Sequence, residues 1–196
     1  MNILFFSLQN ILSLEQSDLY SDLLREFVSN GHYVYIVSPW EKRFGRDEEV
    51  IEGDSYKIIK PKVRNVTNTP FIEKGISIIT LRRILKSAIK KYVGSTQIDL
   101  FLLATPPVTE DVVVKYVKSQ YNCKVYLLLK DIWPASMNDL KTPGGEPLKK
   151  LVSFVFSKWE KRLFQLLAGE IWNTHGQNML CLWRYTWNWS ECTFCC

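Results

Sequence analysis

The sequence contains no long hydrophobic run. No stretch of the 196 residues approaches the about 18 consecutive apolar residues that a membrane-spanning helix needs. Residues 1–8 are largely apolar, but no basic segment leads into them and polar residues follow at once, so we do not interpret them as a signal peptide. These absences predict a protein that stays in the cytoplasm with its thiols reduced.

Cysteine is scarce in the body of the chain, where Cys123 stands alone. A zinc site usually combines two tight cysteine or histidine pairs, and only one Cys-x-x-Cys pair occurs here. We therefore expect no metal site. The residues that could otherwise be drawn as a metal cluster all lie near the end of the chain: His175, Cys181, Cys192, Cys195 and Cys196.

No G-x-G-x-x-G motif follows the first predicted strand, which argues against a nicotinamide or flavin enzyme, and we expect no cofactor. The pair Gly144-Gly145 fits a plain turn better than a phosphate loop. The net charge of +5 is compatible with an anionic partner such as a phospholipid surface, a nucleotide or a nucleic acid. The basic residues lie on helix faces without interleaved stacking aromatics, so we do not expect a nucleic-acid partner.

A hydrophobic content of 46% is sufficient for a folded core. Residues 2–8 and 33–38 are apolar runs typical of buried strands, and between them apolar residues recur at helical spacing. Ser17 is the predicted N-cap of this helix, and Asn30-Gly31 is its predicted end. A strand, a helix and a strand within 38 residues form a βαβ unit, so the sequence predicts an α/β fold.

The rest of the chain to residue 167 continues this alternation. Residues 40–54 and 61–70 are expected to be loops, with a short strand at 56–60 between them. A helix is predicted at 75–92, a strand at 98–104, a helix capped by Thr109, a strand from residue 124 and a long helix at 146–167. The apolar positions predicted to face inward on the helix at 75–92 are Ile78, Ile79, Leu81, Ile84, Leu85, Ala88 and Ile89.

Two of these helices carry basic residues on or beside their outer faces. Such a face is either simply solvated or contacts an anionic membrane surface, and both interpretations remain open at this point. The candidate membrane contacts are Arg82, Arg83, Lys149, Lys150 and Lys158.

The stretch 124–134 ends a buried strand abruptly with Lys130, Asp131, Trp133 and Pro134. Open α/β sheets bind their ligands at the carboxyl ends of their strands, so this pattern predicts that Asp131 lies at a ligand site. A carboxylate there could accept a hydrogen bond from a substrate hydroxyl or take its proton. The alternative is that Asp131 caps a turn before the proline. Thr105 ends the strand at 98–104 and brings a second loop to the same edge.

The composition changes sharply after residue 167. No lysine follows Arg162, and residues 168–196 hold four tryptophans and four of the five cysteines with few charges. We interpret this tail as aberrant, with out-of-frame translation as the leading hypothesis. The rival hypothesis is a genuine aromatic interaction tail for a membrane interface.

Three segments in this order resemble the amino-terminal domain of family 4 glycosyltransferases of the GT-B fold. The first is the helix and strand at 23–39, with Gly31-His32 and a following Val-x-Ile-Val-Ser-Pro. The second is 99–107, which ends in Thr-Pro-Pro. The third is Tyr-Leu-Leu-Leu-Lys-Asp-Ile-Trp-Pro at 126–134, followed by Asn-Asp-Leu. The last two look like a bacterial subgroup that builds capsule, O-antigen or other exopolysaccharide chains.

This resemblance covers residues 1–167 and implies a Rossmann-like parallel sheet with helices on both faces, one half of a GT-B fold. It implies that Asp131 is the candidate catalytic residue and that Lys130, Asp131, Trp133 and Thr105 contact a glycan acceptor, often lipid-linked at the inner membrane face. Lys130 stands where the family often has a histidine or arginine, so no acceptor-activating histidine is available there. His32 matches a position that is structural in the family.

The resemblance also implies a nucleotide-sugar donor, whose binding domain we expect to be absent from this chain. The chain alone is then expected to be inactive and to rest peripherally on the inner membrane face. Whether a separate chain supplies the donor half stays open at this point. The alternative is a non-enzymatic α/β binding or regulatory module. A receiver-like version of such a module would need an acidic pair after its first strand, where residues 7–10 offer none.

Overall fold

A computed structural model describes residues 1–66, 71–104 and 110–128, together with residues 154, 158, 162, 163 and 166; for residues 71–75 it describes the backbone only. The strands are β1 (Asn2–Phe6), β2 (Tyr33–Val37), β3 (Trp40–Glu41), β4 (Glu49–Glu52), β5 (Tyr56–Lys60), β6 (Lys62–Val63), β7 (Leu100–Ala104) and β8 (Lys124–Leu128). The helices are α1 (Leu19–Ser29), α2 (Phe71–Tyr92) and α3 (Asp111–Tyr121), with a short 3₁₀ helix at Lys42–Phe44.

The central sheet has the strand order β4-β5-β2-β1-β7-β8. The four pairings among its strands from β5 to β8 are parallel, and only the edge strand β4 runs antiparallel, against β5. Parallel neighbours need crossover connections, and α1 connects β1 to β2 and α3 connects β7 to β8 in this way. The strands β3 and β6 form a separate two-residue parallel pair.

Strand β1 lies at the centre of the sheet and is buried on both faces. Ile3 and Phe5 pack with α1 on one face, whereas Leu4 and Phe6 pack with α2 and α3 on the other. All four side chains are at most 1% exposed. This alternation is the period of a strand, and burial on both faces explains why residues 3–6 are all apolar. The predicted α/β fold, with helices on both faces of a mostly parallel sheet, is confirmed.

The first helix begins and ends close to the predicted positions. Asp18, one residue after the predicted cap Ser17, is the N-cap, and its Oδ1 accepts hydrogen bonds from the backbone amides of residues 20 and 21 at 3.0 and 3.2 Å. At the other end Gly31 has φ +77°, and its amide and that of His32 donate to the carbonyls of Val28 and Phe27. This is the Schellman arrangement, which favours glycine at that position.

The segment 40–66 is more structured than the predicted loops. β4 pairs with β5 through a tight turn in which the Gly53 amide donates to the Tyr56 carbonyl at 2.9 Å. A side chain at Gly53 would meet the Tyr56 ring, since an added Cβ would lie 2.3 Å from Cε1. Charged residues flank the two apolar residues of β4, and β3 and β6 are only two residues long. Such patterns are too short or too polar to predict a strand.

Helix α2 starts at Phe71, four residues before the predicted start. Six of the seven apolar positions predicted to face inward are buried or partly buried, but the prediction for Ile79 was wrong, since this side chain is 55% exposed. The N-cap of α3 is Glu110, whose side chain makes no capping hydrogen bond. The predicted cap Thr109 lies outside the described residues, as does the whole tail 168–196.

A buried ion pair joins α2 to α3. Arg82 Nη2 lies 3.2 Å from Asp111 Oδ1, and the two side chains are only 16% and 9% exposed. Arg82 therefore faces the neighbouring helix. The prediction that it lies on an outer face was wrong, because an acidic partner at the first turn of α3 holds it inside.

We predict that Arg82→Met destabilises the protein by about 3 kcal/mol, because Asp111 is then left as a charge without its buried partner. Urea unfolding followed by circular dichroism measures this loss. The double variant with Asp111→Leu is expected to recover much of the stability, since it removes the uncompensated carboxylate. Equal stability of Arg82→Met and the wild type would contradict this role of the pair.

Candidate functional site

The order in which successive strands are added to the sheet reverses between β1 and β7, although the two strands are parallel. Successive strands β1, β2 and β5 extend one way from the centre, and β7 and β8 extend the other way. In open α/β sheets the crevice for ligands forms outside the carboxyl ends of the strands at this switch point. The described segment that starts beside it is the β1–α1 loop, residues 7–18, which follows the carboxyl end of β1.

The β1–α1 loop is long for a connection of this kind, which usually has about 2–6 residues. It contains no regular helix or strand, but its own side chains fold it. The Gln9 amide donates to Ser7 Oγ at 3.0 Å, and the Leu12 amide donates to Gln16 Oε1 at 3.0 Å. Ile11 is fully buried beneath the loop. The loop therefore has a defined shape over the carboxyl edge of the sheet.

Two side chains from outside the loop hold it in place. Ser38, buried just after β2, accepts a hydrogen bond from the Ile11 amide at 2.9 Å and donates to the Gln9 carbonyl at 2.7 Å. Arg25 of α1 donates to the carbonyl of Leu14 through Nε at 2.9 Å and through Nη2 at 2.6 Å. The loop is thus fastened to β2 on one side and to α1 on the other.

Lys60 is the third side chain that holds the loop in place, and it is the most unusual residue at the carboxyl edge of the sheet. It ends β5, and its side chain has no exposure to solvent. Its Nζ donates to Asn10 Oδ1 and to the Ile11 carbonyl, both at 2.8 Å, and lies 3.5 Å from Ser38 Oγ. The same ammonium is 4.2 Å from the centroid of the Trp40 ring, within the range of a cation–π contact.

Trp40 connects Lys60 to the edge strand β4. Its indole Nε1 donates to Glu49 Oε2 at 3.3 Å, and its ring meets Phe44 edge-on with 5.6 Å between the centroids. Glu49 is also the nearest source of negative charge that acts on Lys60. Burial nevertheless dominates and lowers the pKa of Lys60 from 10.5 to about 8.

Asp18 closes the far end of the loop. Besides capping α1, its Oδ1 accepts a hydrogen bond from Gln9 Nε2 at 2.9 Å, and its Oδ2 accepts one from Ser21 Oγ at 2.6 Å. Partial burial opposes ionisation, but these hydrogen bonds outweigh it and the pKa of Asp18 is lowered. Both oxygens of this carboxylate therefore accept hydrogen bonds from the loop or from the first turn of α1.

The predicted acceptor-contacting residues Lys130, Asp131, Trp133 and Thr105 lie outside the described residues. The strands that lead to them are described. Ala104 and Leu128, the last residues of β7 and β8, are register partners in neighbouring parallel strands. The chain segments that follow these strands therefore both start at the carboxyl edge of the sheet.

The predicted membrane contacts are divided. Arg83 and Lys158 are exposed, whereas Arg82 is held in the ion pair with Asp111. Lys149 and Lys150 lie outside the described residues.

His32 lies directly before β2. The centroid of its ring is 6.1 Å from that of Phe27, a contact that fits the structural role expected for it.

The sequence reasoning missed Lys60, although a usable signal was present. Lys60 ends β5 after two isoleucines and a proline follows it, which is similar to the charged residues and proline that drew attention to Asp131. The neighbours that make Lys60 unusual, Asn10 and Ser38, are far away in the sequence and give no local signal.

Among the residues that the structure describes, no three histidine, cysteine, aspartate or glutamate side chains are grouped so that they could hold a metal ion. In the same part of the chain, no helix is both long and apolar enough to cross a membrane.

No protein-family model matches the sequence, and no curated protein matches it either. Two solved structures resemble the fold. One is the trehalose-6-phosphate enzyme from E. coli bound with UDP-2-fluoro glucose, with a TM-score of 0.52 and 9% identity. The other is the apo structure of OtsA, with a TM-score of 0.51 and 7% identity. Each alignment covers 83% of this chain and 38% of the solved one.

Both structures are of trehalose-6-phosphate synthase, a GT-B glycosyltransferase. At this level of identity the likeness concerns the fold. The chain has the Rossmann-like architecture of one half of a GT-B glycosyltransferase, and it spans 38% of the length of the structures it resembles.

Lys60 predicts a specific pH dependence of stability. Its pKa is about 8 in the folded protein against 10.5 in the unfolded chain, so between these values the unfolded chain binds a proton that the folded protein does not. The contribution of Lys60 to the free energy of unfolding therefore rises with pH across this window. Below pH 8 the desolvation cost of its charge is present in full.

Urea unfolding of the wild type and of Lys60→Met across this pH range measures the effect. Subtracting the free energy of unfolding of the variant from that of the wild type at each pH isolates the contribution of Lys60. Tyrosines and other lysines that titrate in the same pH range are present in both proteins and cancel. We expect the free energy of unfolding of the wild type to increase relative to that of the variant as the pH rises. A difference that is flat with pH would contradict the burial of a charged Lys60.

Proposed function

We propose that the chain is the acceptor-binding half of a glycosyltransferase that moves a sugar from a nucleotide-sugar donor to a glycan acceptor. The observation that carries this proposal is the GT-B-type sheet, together with the β1–α1 loop, which starts beside the switch point at the end of β1 and is fastened to the ends of β2 and β5. The register of Ala104 with Leu128 supports it, because the segments bearing Thr105 and Asp131 then start from this same edge.

Within this proposal Asp131 is the candidate catalytic residue. A carboxylate beside the reacting acceptor hydroxyl can accept its proton as the bond to the donor sugar forms. Lys130, Trp133 and Thr105 would contact the acceptor around it. A tryptophan offers a sugar ring an apolar face, and the lysine offers a cation to an acceptor that carries phosphate.

The donor half is the other requirement of this chemistry. Charge develops on the phosphates of the nucleotide as the glycosidic bond to the donor breaks, and preorganised positive groups must stabilise it. In the family that the sequence resembles, this work belongs mainly to the second domain. We propose that a further segment or a separate chain supplies it, and that residues 1–196 alone show no turnover.

The motifs at 99–107 and 126–134 support a narrower assignment to family 4 enzymes of capsule, O-antigen or exopolysaccharide synthesis. The acceptor would then be a lipid-linked glycan, and the protein would work in the cytoplasm at the inner membrane face.

An exposed surface on α2 and α3 fits such a location. The two helices lie side by side, since Lys86 Nζ is 4.8 Å from the Tyr116 ring centroid. Apolar and basic side chains are exposed together on them, the pattern of a membrane-surface helix. The members of this α2–α3 surface are Ile76, Ile79, Arg83, Lys86, Val112 and Lys115. Phe154, Lys158 and Arg162 are exposed as well and repeat the combination at helical spacing.

We predict that the protein co-sediments with vesicles containing phosphatidylglycerol and that the variant Arg83→Gln, Lys86→Gln, Lys115→Gln binds them roughly 100-fold more weakly. Each basic residue near an anionic surface contributes about 1 kcal/mol, so three together account for this loss. Binding should fall as salt is raised, because the attraction is screened.

A matched control is Lys42→Gln, Arg64→Gln, Lys124→Gln, which removes the same charge from exposed positions outside the α2–α3 surface. It should bind almost as the wild type does. Equal losses in both variants would show that net charge alone matters. A wild type that stays in the supernatant with every vesicle would contradict the membrane location. It would favour the alternative, a non-enzymatic α/β module.

A further inference from the structure

The β1–α1 loop combines two features that rarely occur together. It is a long connection without helix or strand, the kind that usually varies in conformation, yet it starts beside the switch point, where ligand contact needs a fixed geometry. Its apolar side chains Ile11 and Leu14 are buried against β1 and α1, so the loop lies flat on the edge of the sheet.

Lys60 lies beneath this loop, and hydrophobic packing in the core does not explain why a lysine is buried there. Lysine is almost never fully buried unless its charge is paired. Among the described residues no carboxylate lies within ion-pair distance of Lys60 Nζ. Its partners are instead the Asn10 amide oxygen, the Ile11 carbonyl and the face of Trp40. Two of these three partners belong to the loop.

We propose that Lys60 is a positioning residue for the acceptor site: its buried ammonium fixes the conformation of the β1–α1 loop. The role of Lys60 in acceptor binding rests on the proposed function. Its role in fixing the loop rests on its hydrogen bonds to Asn10 and Ile11. Lys60 bonds the loop from below while Ser38 bonds the neighbouring amide and carbonyl. Together they tie three consecutive loop residues, 9, 10 and 11, to the ends of β5 and β2.

Direct contact between Lys60 and a ligand does not fit the geometry. The side chain has no exposed surface, and the loop lies between it and solvent. The loop amides of Gln9, Ile11 and Leu12 are also engaged by side chains, so they do not form a free anion-binding nest. Lys60 therefore acts through the loop.

The test compares Lys60→Met with the wild type in the full chain. Methionine keeps an unbranched apolar stem but removes every N–H donor from beneath the loop. We expect the amide hydrogens of Ile11 and Leu12 to exchange at least about tenfold faster in the variant, because opening of the loop then breaks fewer bonds. Amides of β7 should keep their protection in both proteins.

Val117→Ala is the matched control for a general loss of stability. It opens a cavity among buried residues on the other face of the sheet, away from the loop. We expect its loop amides to exchange as in the wild type. Unchanged exchange at residues 11 and 12 in Lys60→Met, or equal acceleration in Val117→Ala, would overturn the proposal that Lys60 fixes the loop.

A second measurement separates positioning from simple folding. The probe is a lipid-linked disaccharide in vesicles that contain phosphatidylglycerol. Lys60→Met should bind plain vesicles as the wild type does but bind the disaccharide about tenfold more weakly, since only a fraction of its loops are in the binding conformation. Unchanged affinity for the disaccharide would overturn the positioning role. A wild type that does not bind it would contradict the proposed function, while the exchange experiment still decides the hold on the loop.

Discussion

The burial of β1 on both faces is the constraint on which the rest of the structure depends. Its side chains alternate between the α1 layer and the α2–α3 layer, and each large apolar residue buried there contributes about 1.5–3 kcal/mol relative to exposure. Because both faces need helices, the strands beside β1 are parallel to it and are reached by crossovers. The strand order reverses beside β1, and open α/β sheets bind their ligands at such a point, so the same strand that centres the core also marks the candidate site.

The carboxyl edge is held by polar contacts rather than by further hydrophobic packing. Ser38, Lys60 and Arg25 fasten the β1–α1 loop with hydrogen bonds, and one of these ties is a cation without an ion-pair partner among the described residues. Burying such a charge costs stability, as the lowered pKa of Lys60 indicates. Local departures of this kind from the best-packed arrangement are typical of functional regions. The likeness to GT-B glycosyltransferases assigns the fold, and our proposal places the sugar acceptor at this edge.

The sequence predicted the elements whose pattern is local and strong. Long apolar runs gave the positions of β1, β2, β7 and β8, and helical spacing with a terminal Asn-Gly gave α1. The short strands β3 and β6 and the charged strand β4 were missed, because their pairing is decided by neighbours rather than by their own residues. The inward direction of Arg82 depends on Asp111, on the next helix along the chain. Likewise, the burial of Lys60 depends on a loop 50 residues earlier, which no periodicity could reveal.

The most direct test of the central claim is photocrosslinking with a lipid-linked sugar that carries a photoreactive group on its glycan, followed by mapping of the labelled peptides. The claim predicts labelling of the segments at the carboxyl edge, residues 7–18, 105–109 and 129–134, and loss of that labelling when unmodified acceptor competes. Labelling confined to the amino edge of the sheet, or labelling that the unmodified acceptor does not reduce, would contradict an acceptor site at this edge.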